Sequence, residues 1–206
     1  MATPSEAKSI YGTRMPELEA ARDELVACVD ELRRQMREET GFDPVEHCLS
    51  RIKSEESMRE KCRQRGLPET EESALEIIHD AVGVRVVCSF LNDVYAFRDH
   101  LQAAPGIDVI QEKDYIRQAK PNGYRSYHLI VRTSSGIMAE VQLRTISMDT
   151  WAALEHHLKY KHDVEGNQRL IVAELKRCAD ELASTDASMQ TIRDMILGTP
   201  GQSVTR

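Results

Sequence analysis

The stretch IMAEVQLR at residues 137–144 alternates strictly, with Ile137, Ala139, Val141 and Leu143 on an apolar face and Met138, Glu140, Gln142 and Arg144 on the other. A period of two is that of a β-strand half-buried in a sheet. One surface of this strand is therefore lined by a carboxylate, an amide and a guanidinium. Working upstream, residues 127–132 form a second strand, joined to the first by the hairpin signal Thr133, Ser134, Ser135, Gly136. The run VRVVCSF at 84–90 is β-branched and bounded, as a buried strand is, with Asp80 just ahead of it. Residues 45–53 read as a strand with Arg51 and Lys53 on one face, and 108–113 as a strand that follows the turn at Pro105 and Gly106.

Helices alternate with these strands. Residues 16–39 are amphipathic, with Leu18, Leu25 and Leu32 seven apart and Val29 and Met36 on the same side. Ser54 is an N-cap for a helix to Arg65, stopped by Gly66 and Pro68. A short helix is expected at 72–79, and one capped by Asn92 reaches about 103. Thr145 caps a helix over 146–161 with Trp151, Leu154 and Leu158 as its packing stripe; a last helix spans 168–197, and 198–206 is expected to be an unstructured tail. Strands alternating with helices define the α/β (α+β) class.

At 206 residues, 41% hydrophobic and 30% charged, the chain reads as one globular domain with helical extensions. A formal net charge of −7 argues against coating DNA or RNA by bulk electrostatics, so any phosphate site must be local. No apolar leader and no membrane span is read, and Cys28, Cys48, Cys62, Cys88 and Cys178 lack paired spacing. Reduced thiols in the cytoplasm are expected.

Asp80 and Glu140 are the carboxylates that folding does not require. A strand glutamate must be exposed, paired or metal-bound. A salt bridge to Arg85 or Arg144 accounts for Glu140 as well as a catalytic role does. Phosphoryl and pyrophosphoryl transfer need Mg²⁺ on one or two carboxylates with fixed cations around the phosphates, and Arg51, Lys53 and Arg85 supply cations on neighbouring strands. No Walker A loop or G-x-G-x-x-G occurs, which excludes P-loop and Rossmann sites. The loop KPNGYRS at 120–126 is either an ordinary turn or a base-binding loop with a stacking tyrosine. His79 beside Asp80 lacks the further ligands of a metal phosphohydrolase, and His156 and His157, adjacent on a helix, are a poor metal pair.

Taken in order, RIKS at 51–54, DAVGVR at 80–85, EKDYI at 112–116, KPNGYRS at 120–126, EVQLRT at 140–145 and MDTWAALEH at 148–156 resemble the synthetase domain of the RelA/SpoT alarmone enzymes. The resemblance spans roughly 45–161, leaving 1–44 as an N-terminal helical extension and 162–206 as a C-terminal helix and tail. It implies a nucleotidyltransferase-like fold with a mixed five-stranded sheet flanked by helices. It further implies transfer of pyrophosphate from ATP to the ribose 3′-hydroxyl of GDP or GTP. In that frame Asp80 matches the Mg²⁺-binding aspartate, and Glu140 the catalytic glutamate near the metal and the acceptor hydroxyl. Arg51 and Arg85 match arginines on the adenine ring, with Lys53, Ser54 and Lys61 around the phosphates of ATP. Tyr124 resembles the tyrosine that stacks on guanine and Asn122 the residue at its edge, while Lys113, Arg125, Gln142 and His156 complete the acceptor site.

The length leaves no room for the hydrolase and regulatory domains of long family members, which implies a small synthetase, a form typically homotetrameric. The helices at both ends, with apolar stripes lacking an evident intrachain partner, point the same way. Two rivals stand beside this reading: a same-fold toxic relative that modifies tRNA 3′ ends or adenine nucleotides, and a non-catalytic nucleotide- or RNA-binding module. GDP against GTP preference, activation by product and control by single-stranded RNA are not legible in the sequence.

Overall fold

The computed structural model describes residues 9–161 and 168–198. The expected tail at 199–206 lies outside the described residues, as does the segment 162–167. The elements are α1 (Met15–Thr40), β1 (Val45–Ile52), α2 (Glu55–Gln64), β2 (Val82–Cys88), α3 (Leu91–Ala103), β3 (Asp108–Asp114), β4 (Tyr127–Arg132), β5 (Met138–Thr145), α4 (Ile146–Lys161) and α5 (Gln168–Leu197).

The strands form one mixed five-stranded sheet, as expected, and its order is β1-β2-β5-β4-β3. β2 and β5 run parallel at its centre, while the other neighbours are antiparallel. The apolar face of the alternating strands, with Val84, Val86, Leu129, Val131, Ala139, Val141 and Leu143, shares one core with Leu18, Leu25 and Val29 of α1 and Phe97 and Leu101 of α3. Their opposite faces carry Arg85, His128, Glu140 and Gln142, so the same alternation that builds the core lines a cleft.

Ser54 caps α2 as expected, its hydroxyl accepting from the Ser57 amide at 3.3 Å. Thr145 caps α4 by accepting from the Met148 amide at 3.2 Å. Four expectations are corrected. α1 has an intrachain partner: Leu18, Leu25, Val29, Leu32 and Met36 are buried against the sheet and α3. Residues 72–79 form a single π-helical turn, Ser73–Ile77, closed by the Ile78 amide on the Ser73 carbonyl at 2.9 Å. The cap of α3 is at Phe90, two residues before Asn92, because the Asp93 carboxylate reaches back to the Phe90 amide at 3.2 Å. On α4, Trp151 is buried but Leu154 and Leu158 are exposed, so the packing stripe ends after one turn.

β2 begins two residues earlier than its β-branched run. Gly83 hides the start in the sequence, whereas in the fold it pairs with Arg51 on one side and Glu140 on the other. Asp80 thereby stands at the mouth of the central strand.

Candidate active site

Strand register sets the site. One row across the sheet runs Arg51, Gly83, Glu140, Ile130, and the next runs Leu49, Arg85, Gln142, His128, Lys113. Paired residues point to the same face, so cations from β1 and β2 stand beside the carboxylate of β5. Gly83, with no side chain, leaves the floor open between Arg51 and Glu140. Arg51, Lys53, Asp80, Gly83, Arg85, Glu140 and Gln142 line one cleft.

Lys53 and Lys61 both donate to Oδ2 of Asp80. The other carboxylate oxygen, Oδ1, is buried without a hydrogen-bond partner. Burial pushes the Lys53 ammonium below its ordinary value, against the pull of Asp80.

Glu140 is only 21% exposed and is held from two sides. His128 Nδ1 lies 3.0 Å from its Oε1, and the Gln142 amide donates to Oε2 at 2.7 Å. Burial works to raise this carboxyl, but His128, Gln142 and Lys61 outweigh it and hold it down at about 2. The chain continues outward: the Tyr124 hydroxyl is 2.8 Å from His128 Nε2 and accepts from Arg144 at 2.9 Å. The ionised Glu140 carboxylate can only accept, so the proton of its contact with His128 is on Nδ1.

Neither arginine expected as a salt-bridge partner takes Glu140. Arg85 and Arg144 both donate to Asp149 Oδ1, at 3.2 and 2.9 Å. Burial, and next to it Arg144, push the Arg85 guanidinium down despite Asp149. The Nε atoms of Arg85 and Arg144 are buried and unpartnered. Arg51, Lys53, Lys61, Arg85 and Arg144 thus face Asp80, Glu140 and Asp149 with positive charge to spare, an arrangement suited to a polyphosphate.

The loop at 120–126 borders the same network. Lys120 Nζ sits over the rings of Tyr115 and Tyr124 at 4.7 and 4.8 Å, and Trp151 lies edge-on to Tyr124 at 6.4 Å. Asn122 shapes the loop: its oxygen accepts from the Tyr124 amide and its nitrogen donates to Glu155, both at 3.2 Å. Lys113 is exposed in the row of His128. The structure does not bring all predicted residues to the cleft wall. The Ser54 hydroxyl caps α2, Arg125 is bound to Asp180 of α5 at 2.9 Å, and His156 is exposed on α4 one residue past Glu155.

His128, Asp149 and Tyr115 carry no site role in the sequence reading. For His128 a signal existed: counting back through the hairpin from Glu140 and Gln142 places it on their face.

These residues fall within a stretch, 50–165, that matches the family described as a region found in RelA/SpoT proteins. The chain belongs to the RelA/SpoT family. It is 39% identical over 160 residues to the GTP pyrophosphokinase YwaC of Bacillus subtilis, covering 74% of this chain and 76% of that protein. To the GTP pyrophosphokinase YjbM of the same organism it is 33% identical over 181 residues, covering 84% and 83%. The crystal structure of small alarmone synthetase 1 from Bacillus subtilis, bound to its product pppGpp, superposes with a TM-score of 0.77 at 30% identity, covering 89% of this chain and 96% of that one. All of Arg51, Lys53, Lys61, Asp80, Arg85, Tyr124, Glu140 and Gln142 lie inside the stretch that matches the family.

Proposed function

We propose that this RelA/SpoT protein is a GTP pyrophosphokinase that transfers the β,γ-pyrophosphate of ATP to the ribose 3′-hydroxyl of GDP or GTP, forming ppGpp or pppGpp and AMP. The observation that carries this is the pairing, in one cation-rimmed cleft, of Asp80 with its unpartnered buried oxygen and the ionised Glu140. The names of the relatives and the product bound to the similar synthetase support the same reading.

The donor set fits Mg²⁺. Two carboxylates, with no further cluster of histidine, cysteine or acidic ligands among the described residues, suit a hard cation that shares its coordination with substrate phosphates. Asp80 through Oδ1 and Glu140 would hold the ion, which when bound neutralises charge on the transferred group. Arg51 and Arg85 hold the adenine side of ATP, and Ser54 adjoins the phosphate end through the α2 cap. Lys53 and Lys61, crowded on one oxygen of Asp80, turn to the triphosphate. Tyr124 stacks on guanine, with Asn122, Lys113, Gln142 and His156 on the acceptor side. Held at about 2 in the free protein, Glu140 meets the substrates ionised, ready to accept from the 3′-hydroxyl and take up its proton as the oxygen attacks. In-line attack of the 3′-oxygen on the β-phosphorus forms the new P–O bond and breaks the bond to AMP; the hydroxyl proton passes to Glu140 and on to solvent, and the fixed cations take up the developing charge.

The five free thiols accord with a reducing cytoplasm, and no helix among the described residues is long and apolar enough to cross a membrane. Exposed Met189, Ile192, Met195 and Ile196 on α5 support homo-oligomerisation, read as a tetramer. The test is incubation with Mg²⁺ and ATP labelled at the γ-phosphate, with GDP, GTP, ADP or deacylated tRNA in parallel. Label on GDP or GTP with matching AMP is expected. Label on ADP or tRNA alone, or on none of them, overturns the assignment.

A further inference from the structure

α5 lies entirely beyond the stretch that matches the family, yet it touches the acceptor loop at several points. Arg125, next to Tyr124, donates to Asp180 at 2.9 Å and to the Gly123 carbonyl at 3.2 Å. Gly123 has φ of +92°, and a Cβ built there would stand 2.6 Å from Ala179 Cβ and 3.0 Å from Lys176 Cα. Only glycine tolerates both that backbone and that approach. Trp151, edge-on to Tyr124, donates its indole N–H to the Leu175 carbonyl of α5 at 2.9 Å. Farther along, Thr145 donates to Asp186 at 2.6 Å, and the Asn92 amide donates to Gln190 at 3.0 Å. The helix is thereby anchored to the same strand that carries Glu140.

We propose that α5 is the backstop of the acceptor loop: the Arg125–Asp180 pair and the Gly123–Ala179 contact hold Tyr124 against the cleft, and this helix sets acceptor affinity. The inference rests on Tyr124 being the guanine platform. Arg125 is then a positioning residue whose guanidinium is committed to α5, and Asp180 acts on the nucleotide only through it.

Trp151, the sole tryptophan, is a built-in reporter of both loop and helix. The test titrates the full chain with GDP alone while following tryptophan fluorescence, and measures kcat and KM for each substrate beside it. In the native protein GDP gives a saturable change. Asp180→Asn, which removes a half-exposed ion pair worth at most ~1 kcal/mol, should raise the Kd and KM for GDP by about fivefold. It should leave the KM for ATP, and kcat at saturating acceptor, within about twofold. Asp180→Glu should recover most of the loss, and Gly123→Ala should exceed it. Lys176→Gln, altering the exposed second partner of Asp180, should be silent. Unchanged or tighter GDP binding in Asp180→Asn would mean that Arg125, once released, serves the nucleotide itself, and would overturn the proposal. So would a normal GDP Kd in Gly123→Ala. If the native protein neither responds to GDP nor transfers label to it, the functional reading fails and takes the role of α5 with it; binding by the native protein separates the two failures.

Discussion

Glu140 owes its character to neighbours on two other positions of the sheet. His128 and Gln142 are opposite each other in the register of β4 and β5, and both grip the same carboxylate. Its folded value of about 2 lies below the ordinary 4.5, so the ionised form contributes stability that is fully present above about pH 4.5 and is lost as pH falls toward 2. Glu140→Gln should therefore flatten the pH dependence of stability in that window, read by denaturant unfolding at each pH. The same variant should lower kcat by roughly two to three orders of magnitude with little change in the KM for ATP. A variant with near-native kcat would remove Glu140 from the reaction. Asp80 and Glu140 were readable as chemical residues because a carboxylate at a strand mouth or within a strand is costly unless something holds it. His128 and Asp149 were not, because a histidine on a strand or an aspartate in the first turn of a helix has ordinary local explanations.

At the scale of elements, local chemistry predicts well where it is itself the cause. The Leu18, Leu25, Leu32 spacing places α1, Gly41 ends it in a left-handed cap at φ +77°, and Ser54 and Thr145 start helices through their own hydroxyls. It fails where a distant partner decides. β2 reaches Val82 because Ile52 and Ala139 pair with it, whereas the cap of α3 at Phe90 is a local effect of Asp93, three residues on, and is hidden only because phenylalanine has no capping oxygen. α1 is part of the domain's core and not an appendage: Leu25, 1% exposed, is buried where the helix packs on β1, β2 and α3. Leu25→Ala should cost about 2–5 kcal/mol, measured as a lower urea midpoint at constant slope. A cost below about 1 kcal/mol would mean that α1 does not pack as described.

For the molecule as a whole, the far end of α5 is secured by a buried ion pair. Arg193 donates to Asp93 at 2.6 Å and lies over the Phe90 ring at 4.6 Å, and both charged side chains are largely buried. Burial pushes the Asp93 carboxyl above its ordinary 3.8, with Arg193 and the Phe90 amide opposing. Arg193→Met strands that charge and should destabilise the protein by about 3 kcal/mol at neutral pH. For a carboxyl with a raised folded value, stability is retained below the unfolded value and lost as pH rises through the folded one. The deficit should accordingly shrink as pH falls through the raised folded value and be gone below about pH 4, in thermal melts taken across the range. A deficit independent of pH would show that lost packing, not the stranded carboxylate, is responsible.

The class, most of the elements, the six ordered motifs and the two carboxylates followed from the sequence by itself, because each depends on side-chain periodicity, capping or a residue type that local folding does not need. Only the tertiary structure decided which groups meet. The register across β1, β2 and β5 put Arg51 in the row of Glu140 and Arg85 in the row of Gln142. The return of α5 brought Asp180 and Ala179 against the acceptor loop. Both are contacts between residues distant in the chain, and their energies depend on geometry that no local spacing encodes.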